Sequence, residues 1–339
     1  MDTPKLLDED LLKKVKSVYS TVAEDVLPRY RYKGTTVSEN MLKVLDDILN
    51  MEVREDDTWI CTYMKSGTHW SSEMVWLISN DLDYEGSKVS QLQRVPFLEF
   101  EHFLSHCPEP ENASDFPMDP KLFLHSVDYV KTMKSPRFIK THLPFQLLPL
   151  QIQQGTVNAK VIYVRRNPMD VFVSLFEMFR KTYNYEGIPD DFADLFLRGG
   201  LKYLPYWKHC LSFCERKDER HILCLKFEDM IEDLSAAINQ TADFLGKKLT
   251  TDQVASLSDH LSFANMKNKK SVNLIDEMST VKKLQNLGED KTWNLCRKGV
   301  VGEGKESLGL ELVARFKTWT EENTKGTVLE RPLERYGFD

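Results

Sequence analysis

The 339-residue sequence contains no apolar run of about 18 residues, the length a helix needs to cross a bilayer. Its opening stretch, Met1 to Asp10, carries too many charges for a signal peptide, so a cytoplasmic chain is expected. Positive charge is not in excess. The formal net charge is −7, which leaves no global attraction to nucleic acid or to an anionic membrane. Cysteine is sparse: the six thiols (Cys61, Cys107, Cys210, Cys214, Cys224 and Cys296) include no Cys-x-x-Cys pair and fit a reduced protein. No internal repeat or low-complexity tract occurs. The Walker A spacing Gly-x4-Gly-Lys-Ser/Thr is missing and no acidic Mg2+ motif stands out, which disfavours a kinase; no metal is expected.

What is present is a chain long enough, at 41% hydrophobic residues, to bury a full core. Strand-like and helix-like runs alternate, which predicts a single α/β domain with a central parallel sheet flanked by helices. Residues 1–40 read as an N-terminal extension and 41–339 as the domain itself. Strands are expected at Val161 to Val164 and Ile222 to Lys226, and helices near Met41 to Leu49, Leu234 to Leu245 and Leu308 to Thr320. Gly246 is placed to end the second of those helices. The polar stretch from Asp81 to Ser135 reads as a long excursion forming part of a pocket wall.

Three segments carry chemistry. In the first, an apolar strand-like run (Trp59, Ile60, Cys61, Tyr63) feeds a loop of Lys65, Ser66, Gly67 and Thr68, and a helical pattern follows from Trp70. Backbone N–H groups and the positive end of the helix dipole would there face a phosphate-like anion, with the lysine adding a mobile charge. In the second, Arg137 to Pro144 includes Lys140 and His142, and a strand then leads to Arg165 and Arg166. Asn167 suits an N-cap and Pro168 a first helical position, which puts Arg166 at a strand's carboxyl end and Ser174 about two turns into a helix. Arg165 reads as a solvated neighbour. In the third, Leu295 to Gly299, the adjacent Arg297 and Lys298 are placed to wrap a second phosphate.

In the order and spacing of these segments, the chain resembles the cytosolic sulfotransferase family from about residue 40 to about residue 305. The stretches Val75 to Leu82 and Ala242 to Leu249 are similar to the insect branch that includes retinol dehydratase. The resemblance implies transfer of a sulfuryl group from PAPS (3′-phosphoadenosine 5′-phosphosulfate, leaving the desulfated nucleotide PAP) to a hydroxyl. The acceptor would be small and apolar: a phenol, a steroid or a retinoid-like alcohol. On matching positions it makes His142 the general base and Lys65 the cation at the bridging oxygen. Lys140 becomes a second cation at the sulfuryl group, and Ser174 a 3′-phosphate contact that restrains Lys65. The implied nucleotide site joins Lys65, Ser66, Gly67, Thr68, His69 and Trp70 to Arg166 and Ser174. Phe227, Leu261, Phe263 and Met266 follow, and Cys296, Arg297, Lys298 and Gly299 close it. Trp70 and Phe263 would sandwich the adenine.

The chain also departs from the family pattern. His69 replaces a second threonine, Phe227 a tyrosine, Leu261 a threonine, and Gly302 to Lys305 reads Gly-Glu-Gly-Lys in place of Gly-Asp-Trp-Lys. Beside transfer, two alternatives stay open: a dehydratase in which a sulfated allylic alcohol eliminates sulfate, and a PAPS- or PAP-binding protein that has lost turnover. At a helix start His69 is disfavoured as a cation by the dipole but favoured by a bound anion, so nucleotide binding would either protonate it or leave it a neutral donor. The family's dimer segment, Lys-x3-Thr-Val-x3-Glu, aligns from Lys305 with Gly309, Leu310 and Ala314, which lack the pairing groups. A monomer, or a dimer through another surface, is expected.

Overall fold

The computed structural model describes residues 3–18, 28–104, 116–285, 296–332 and 336–338; Cys107 and Leu295, singled out above, lie outside them. An antiparallel ladder opens the described chain, with β1 (Lys5–Leu6), β2 (Arg29–Tyr32) and β3 (Thr35–Ser38) paired in that order. The main sheet follows: β4 (Thr58–Thr62), β5 (Phe138–Thr141), β6 (Lys160–Arg165) and β7 (Ile222–Lys226), all parallel, in the order β5-β4-β6-β7. Its strands are apolar on both faces because helices cover both. Successive residues alternate sides: Trp59, Cys61, Val161 and Tyr163 enter one hydrophobic cluster, Ile60, Ile162 and Val164 the other.

Local chemistry sets the helix ends. The Asn167 side chain accepts the Met169 N–H at 2.9 Å, Pro168 takes the first position, and the helix Pro168–Thr182 runs from there. Gly246 closes the helix Leu234–Leu245 in the left-handed region, at φ 73°. The C-terminal helix spans Leu310–Thr324, two residues later than expected at its start, after a short helix Glu303–Ser307. Leu312 and Phe316 form its buried face. The described residues before 41 share the main core, since Leu7, Leu11, Val15, Val18 and Val37 all join the larger cluster.

In its described residues, the excursion from Asp81 to Ser135 is built of short helical pieces packed around Leu92, Phe97, Phe100 and Phe123. It is tied to β5 by backbone bonds: Lys140 N–H donates to Pro96 O at 3.0 Å and Leu98 N–H to Lys140 O at 2.9 Å. This pairing carries Glu99 to the carboxyl end of β5, directly beside His142.

Candidate active site

β4 ends in a turn that few sequences allow. Lys65 sits at φ 64° and Gly67 at φ 98°, both in the left-handed region, immediately before the helix Thr68–Ser79. A side chain at 67 would be strained by that backbone, and its Cβ would lie 2.8 Å from the Phe227 ring. The turn therefore leaves the helix N-terminus uncovered by side chain. Across it, β6 and the helix Pro168–Thr182 present Arg166 and Ser174, and β5 presents Lys140 and His142.

These groups converge on one cavity of about 450 Å³. Its wall includes Lys65, Gly67, Thr68, His69, Trp70, Lys140, His142, Arg166, Ser174, Phe227, Leu261, Phe263, Met266, Cys296, Arg297, Lys298 and Gly299. Ser66 is the exception among the expected residues: its side chain is fully buried beneath the loop and is not part of the wall. The far end is apolar, with Leu92, Phe97, Phe100, Phe103, Phe179 and Met278.

His142 is held in one tautomer. Its Nδ1 lies 2.9 Å from the Thr62 carbonyl oxygen, which can only accept, so Nδ1 carries the proton. Nε2 is left with its lone pair and has no hydrogen-bond partner among the described residues. Burial pulls the imidazole down to about 4, the Thr62 bond opposing and Lys140 and Lys65 adding to the fall. Burial, with Arg166 beside it, lowers the Lys65 ammonium to about 8; burial and Arg94 lower Lys140 to about 7. The Lys140 ammonium has no hydrogen-bond partner among the described residues. A buried cation without an acceptor is costly, so this wall is arranged for an anion brought from outside.

The residue that fixes His142 was not legible in the sequence. Glu99, fully buried, accepts the His142 N–H at 2.7 Å on one oxygen and the Thr141 hydroxyl at 2.7 Å on the other. Burial pushes its carboxyl up to about 7 against those bonds. From the other side His209 Nε2 donates to the His142 carbonyl at 2.9 Å, its Nδ1 accepting from the Tyr163 hydroxyl.

A family model described as the sulfotransferase domain matches residues 55–328, the span that builds this cavity. The chain belongs to the sulfotransferase family. It is 33% identical to luciferin sulfotransferase of Photinus pyralis over 293 residues, covering 86% of this chain and 78% of that protein. It is 31% identical to sulfotransferase 1E1 of Homo sapiens over 303 residues, 88% of this chain and 93% of the relative. Among solved structures, retinol dehydratase in complex with retinol and PAP superposes with a TM-score of 0.81 at 30% identity, covering 97% of this chain and 98% of that one.

Within this sulfotransferase the basic loop is restrained by its own carboxylates. Arg297 donates to both oxygens of Glu303, and Lys298 lies 2.7 Å from the same group. Arg166 donates to the Lys65 carbonyl at 3.1 Å and to the Val300 carbonyl at 3.0 Å, and its guanidinium lies over the Phe227 ring at 4.5 Å. Phe227, in place of tyrosine, thus supplies a face for Arg166 and meets Trp70 edge-on at 5.5 Å. Gly304 accounts for the missing tryptophan: a Cβ there would lie 2.5 Å from the Met169 carbonyl carbon, and Asp170 accepts the N–H groups of Gly302 and Gly304. His69 points Nδ1 at Gln91 Oε1, 2.7 Å away, and Gln91 in turn donates to the His69 carbonyl. Burial, then Lys140, hold the His69 imidazole well below its usual value despite the Gln91 bond, so it is a neutral donor here. Arg165 corrects an expectation. It is only 7% exposed, on the opposite side of β6 from this cavity.

Proposed function

We propose that the chain transfers a sulfuryl group from PAPS to a hydroxyl of a small apolar acceptor, with His142 as general base. The observation that carries the reading is the His142 imidazole, pinned through Nδ1 with Nε2 available on the wall it shares with Lys65 and Lys140. PAPS would supply an activated sulfuryl group whose sulfur–oxygen bond to phosphate breaks as the acceptor oxygen bonds to sulfur. Nε2 takes the hydroxyl proton. Lys65 and Lys140 balance charge on the leaving phosphate and the sulfuryl oxygens. Arg166 and Ser174 hold the 3′-phosphate, Arg297 and Lys298 a phosphate at the closing loop, and Trp70 and Phe263 the adenine. The aromatic far wall suits a phenol, a steroid or a retinoid-like alcohol, and Cys61, Cys210, Cys214 and Cys224, in no disulfide among the described residues, suit a reducing, cytoplasmic setting.

The test is transfer from labelled PAPS across a panel of such alcohols. Wild type is expected to label at least one acceptor. His142→Ala is expected to lose about a hundredfold or more in turnover while PAP affinity holds. Turnover that survives the substitution removes His142 as the base. The likeness to retinol dehydratase supports a second reading, in which the sulfated product of an allylic alcohol goes on to lose sulfate. An alkene with free sulfate among the products would identify it.

A further inference from the structure

A second cavity, of about 310 Å³, shares no residue with the first. It lies along β7, the outer strand of the sheet, between the end of the helix Tyr206–Cys214 and residues Val328 to Arg331. Among the described residues its cations are Arg165, Lys217, Lys226 and Arg331, and its one lining carboxylate is Asp229. Asp229 already has a partner, since Lys226 Nζ lies 3.3 Å from its oxygen. That balance is unusual in a chain of net charge −7.

Arg165 is the telling group. Its relative exposure is 7%, and among the described residues it has no hydrogen-bond or ion-pair partner. Nearby Glu228 is turned elsewhere: it accepts the Asn167 N–H at 2.6 Å and forms no ion pair with Arg165. A guanidinium cannot shed its proton, so this one keeps its charge at the cavity wall, with no acceptor among the described residues. Its planar donor fork matches a tetrahedral oxyanion in two parallel bonds. Consecutive residues at the end of β6 serve different cavities, Arg165, its last residue, facing the second and Arg166, the next, the first.

We propose that Arg165, with Lys217, Lys226 and Arg331, forms a second anion site that takes a phosphate or sulfate group, either as the free ion or as a phosphomonoester. The site is separate from the transfer reaction.

The experiment saturates the full chain with PAP, so that the first cavity is filled, and titrates inorganic phosphate, inorganic sulfate and glycerol 3-phosphate in turn at constant ionic strength. Calorimetry and the thermal midpoint are read together. The expected result is a saturable isotherm and a rising midpoint for at least one probe, retained in Lys140→Met and lost in Arg165→Met. Tighter binding of glycerol 3-phosphate than of the free ions identifies an ester as the natural occupant, and the reverse order a free oxyanion. The exposed pair Lys217→Ser and Arg331→Ser, which leaves the core untouched, is expected to weaken binding by about threefold. No saturation of wild type by any probe up to tens of millimolar, or an isotherm unchanged in Arg165→Met, would overturn the site. Failure of PAP to bind would show as a missing first isotherm, which tests the proposed transfer function and leaves the second titration readable.

Discussion

Lys65 offers a prediction in which sign and size both follow from the structure. Burial, with Arg166 adjacent, lowers its ammonium to about 8, so the free protein sheds this proton as pH rises through 8. A bound phosphate favours the cation and restores the ordinary lysine range. PAP binding must therefore take up protons: about half a proton from Lys65 at pH 8 and about 0.9 at pH 9. Apparent affinity falls in step, about twofold at pH 8 and about tenfold at pH 9 relative to the plateau below pH 7. The nucleotide's own second phosphate ionisation, near pH 6, is complete before this window opens. Lys140, lowered to about 7, would add uptake of its own if the 5′ group reaches it, so the measurement belongs in Lys140→Met. In the absence of nucleotide the linkage runs the other way. The unfolded chain holds the Lys65 proton up to about pH 10.4 and the folded chain only to about 8, so stability rises with pH between them. Calorimetry with PAP in buffers of different ionisation heat at pH 7, 8 and 9 gives the proton count directly. An affinity flat from pH 7.5 to 9 in Lys140→Met, with no uptake, would refute the placement of Lys65 at the nucleotide.

Three further outcomes are expected. Arg166→Ala weakens PAP binding by about 1.5–3 kcal/mol, the scale of a charge-assisted hydrogen bond, and unchanged affinity in a fluorescence titration would remove Arg166 from the site. His69→Thr leaves the pH dependence of PAP affinity between pH 5.5 and 7 as in wild type, because burial and Lys140 already hold His69 neutral; a changed proton count in that window would mean the anion protonates it. Light scattering at micromolar concentration gives a monomer that Leu310→Asp does not alter, since Gly309, Leu310 and Ala314 lack the pairing groups of the family's dimer segment; a dimer dissolved by that change would restore the C-terminal interface.

Much of the scaffold was legible because local chemistry dictates it. Asn167 with Pro168, Gly246, and the apolar runs of β4, β6 and β7 each carry their instruction within a few residues. The residues named from motif order line the cavity, apart from the buried Ser66, whereas its apolar end, with Phe97, Phe100, Phe103 and Phe179, was not named. What the sequence hid depends on distant partners. Glu99 meets the His142 amide across 43 positions, and Gln91 meets His69 across 22, through an excursion whose path no periodicity announces. Arg165 was misread because charge argues for solvent, whereas its burial follows from strand parity and from Leu329 covering the outer edge of the sheet. The ladder β1 to β3 was missed because its strands are short and rich in charge and threonine, and gain burial only by docking on the main core.

The electrostatics of the first cavity make its charge conditional on its ligand. Two lysines and an imidazole are buried together, and after burial both lysines lower the imidazole's affinity for a proton. His142, lowered to about 4, is in its basic form throughout the physiological range. That choice sacrifices basicity, since a group so easily deprotonated is a weak proton acceptor. The Thr62 carbonyl opposes the loss by accepting from Nδ1, which strengthens as Nε2 gains a proton. A bound anion opposes it further, because negative charge beside Lys65 and Lys140 also favours the imidazolium. If the nucleotide lies there as proposed, His142 gains basicity on binding and is weakest in the free protein, where there is nothing to transfer.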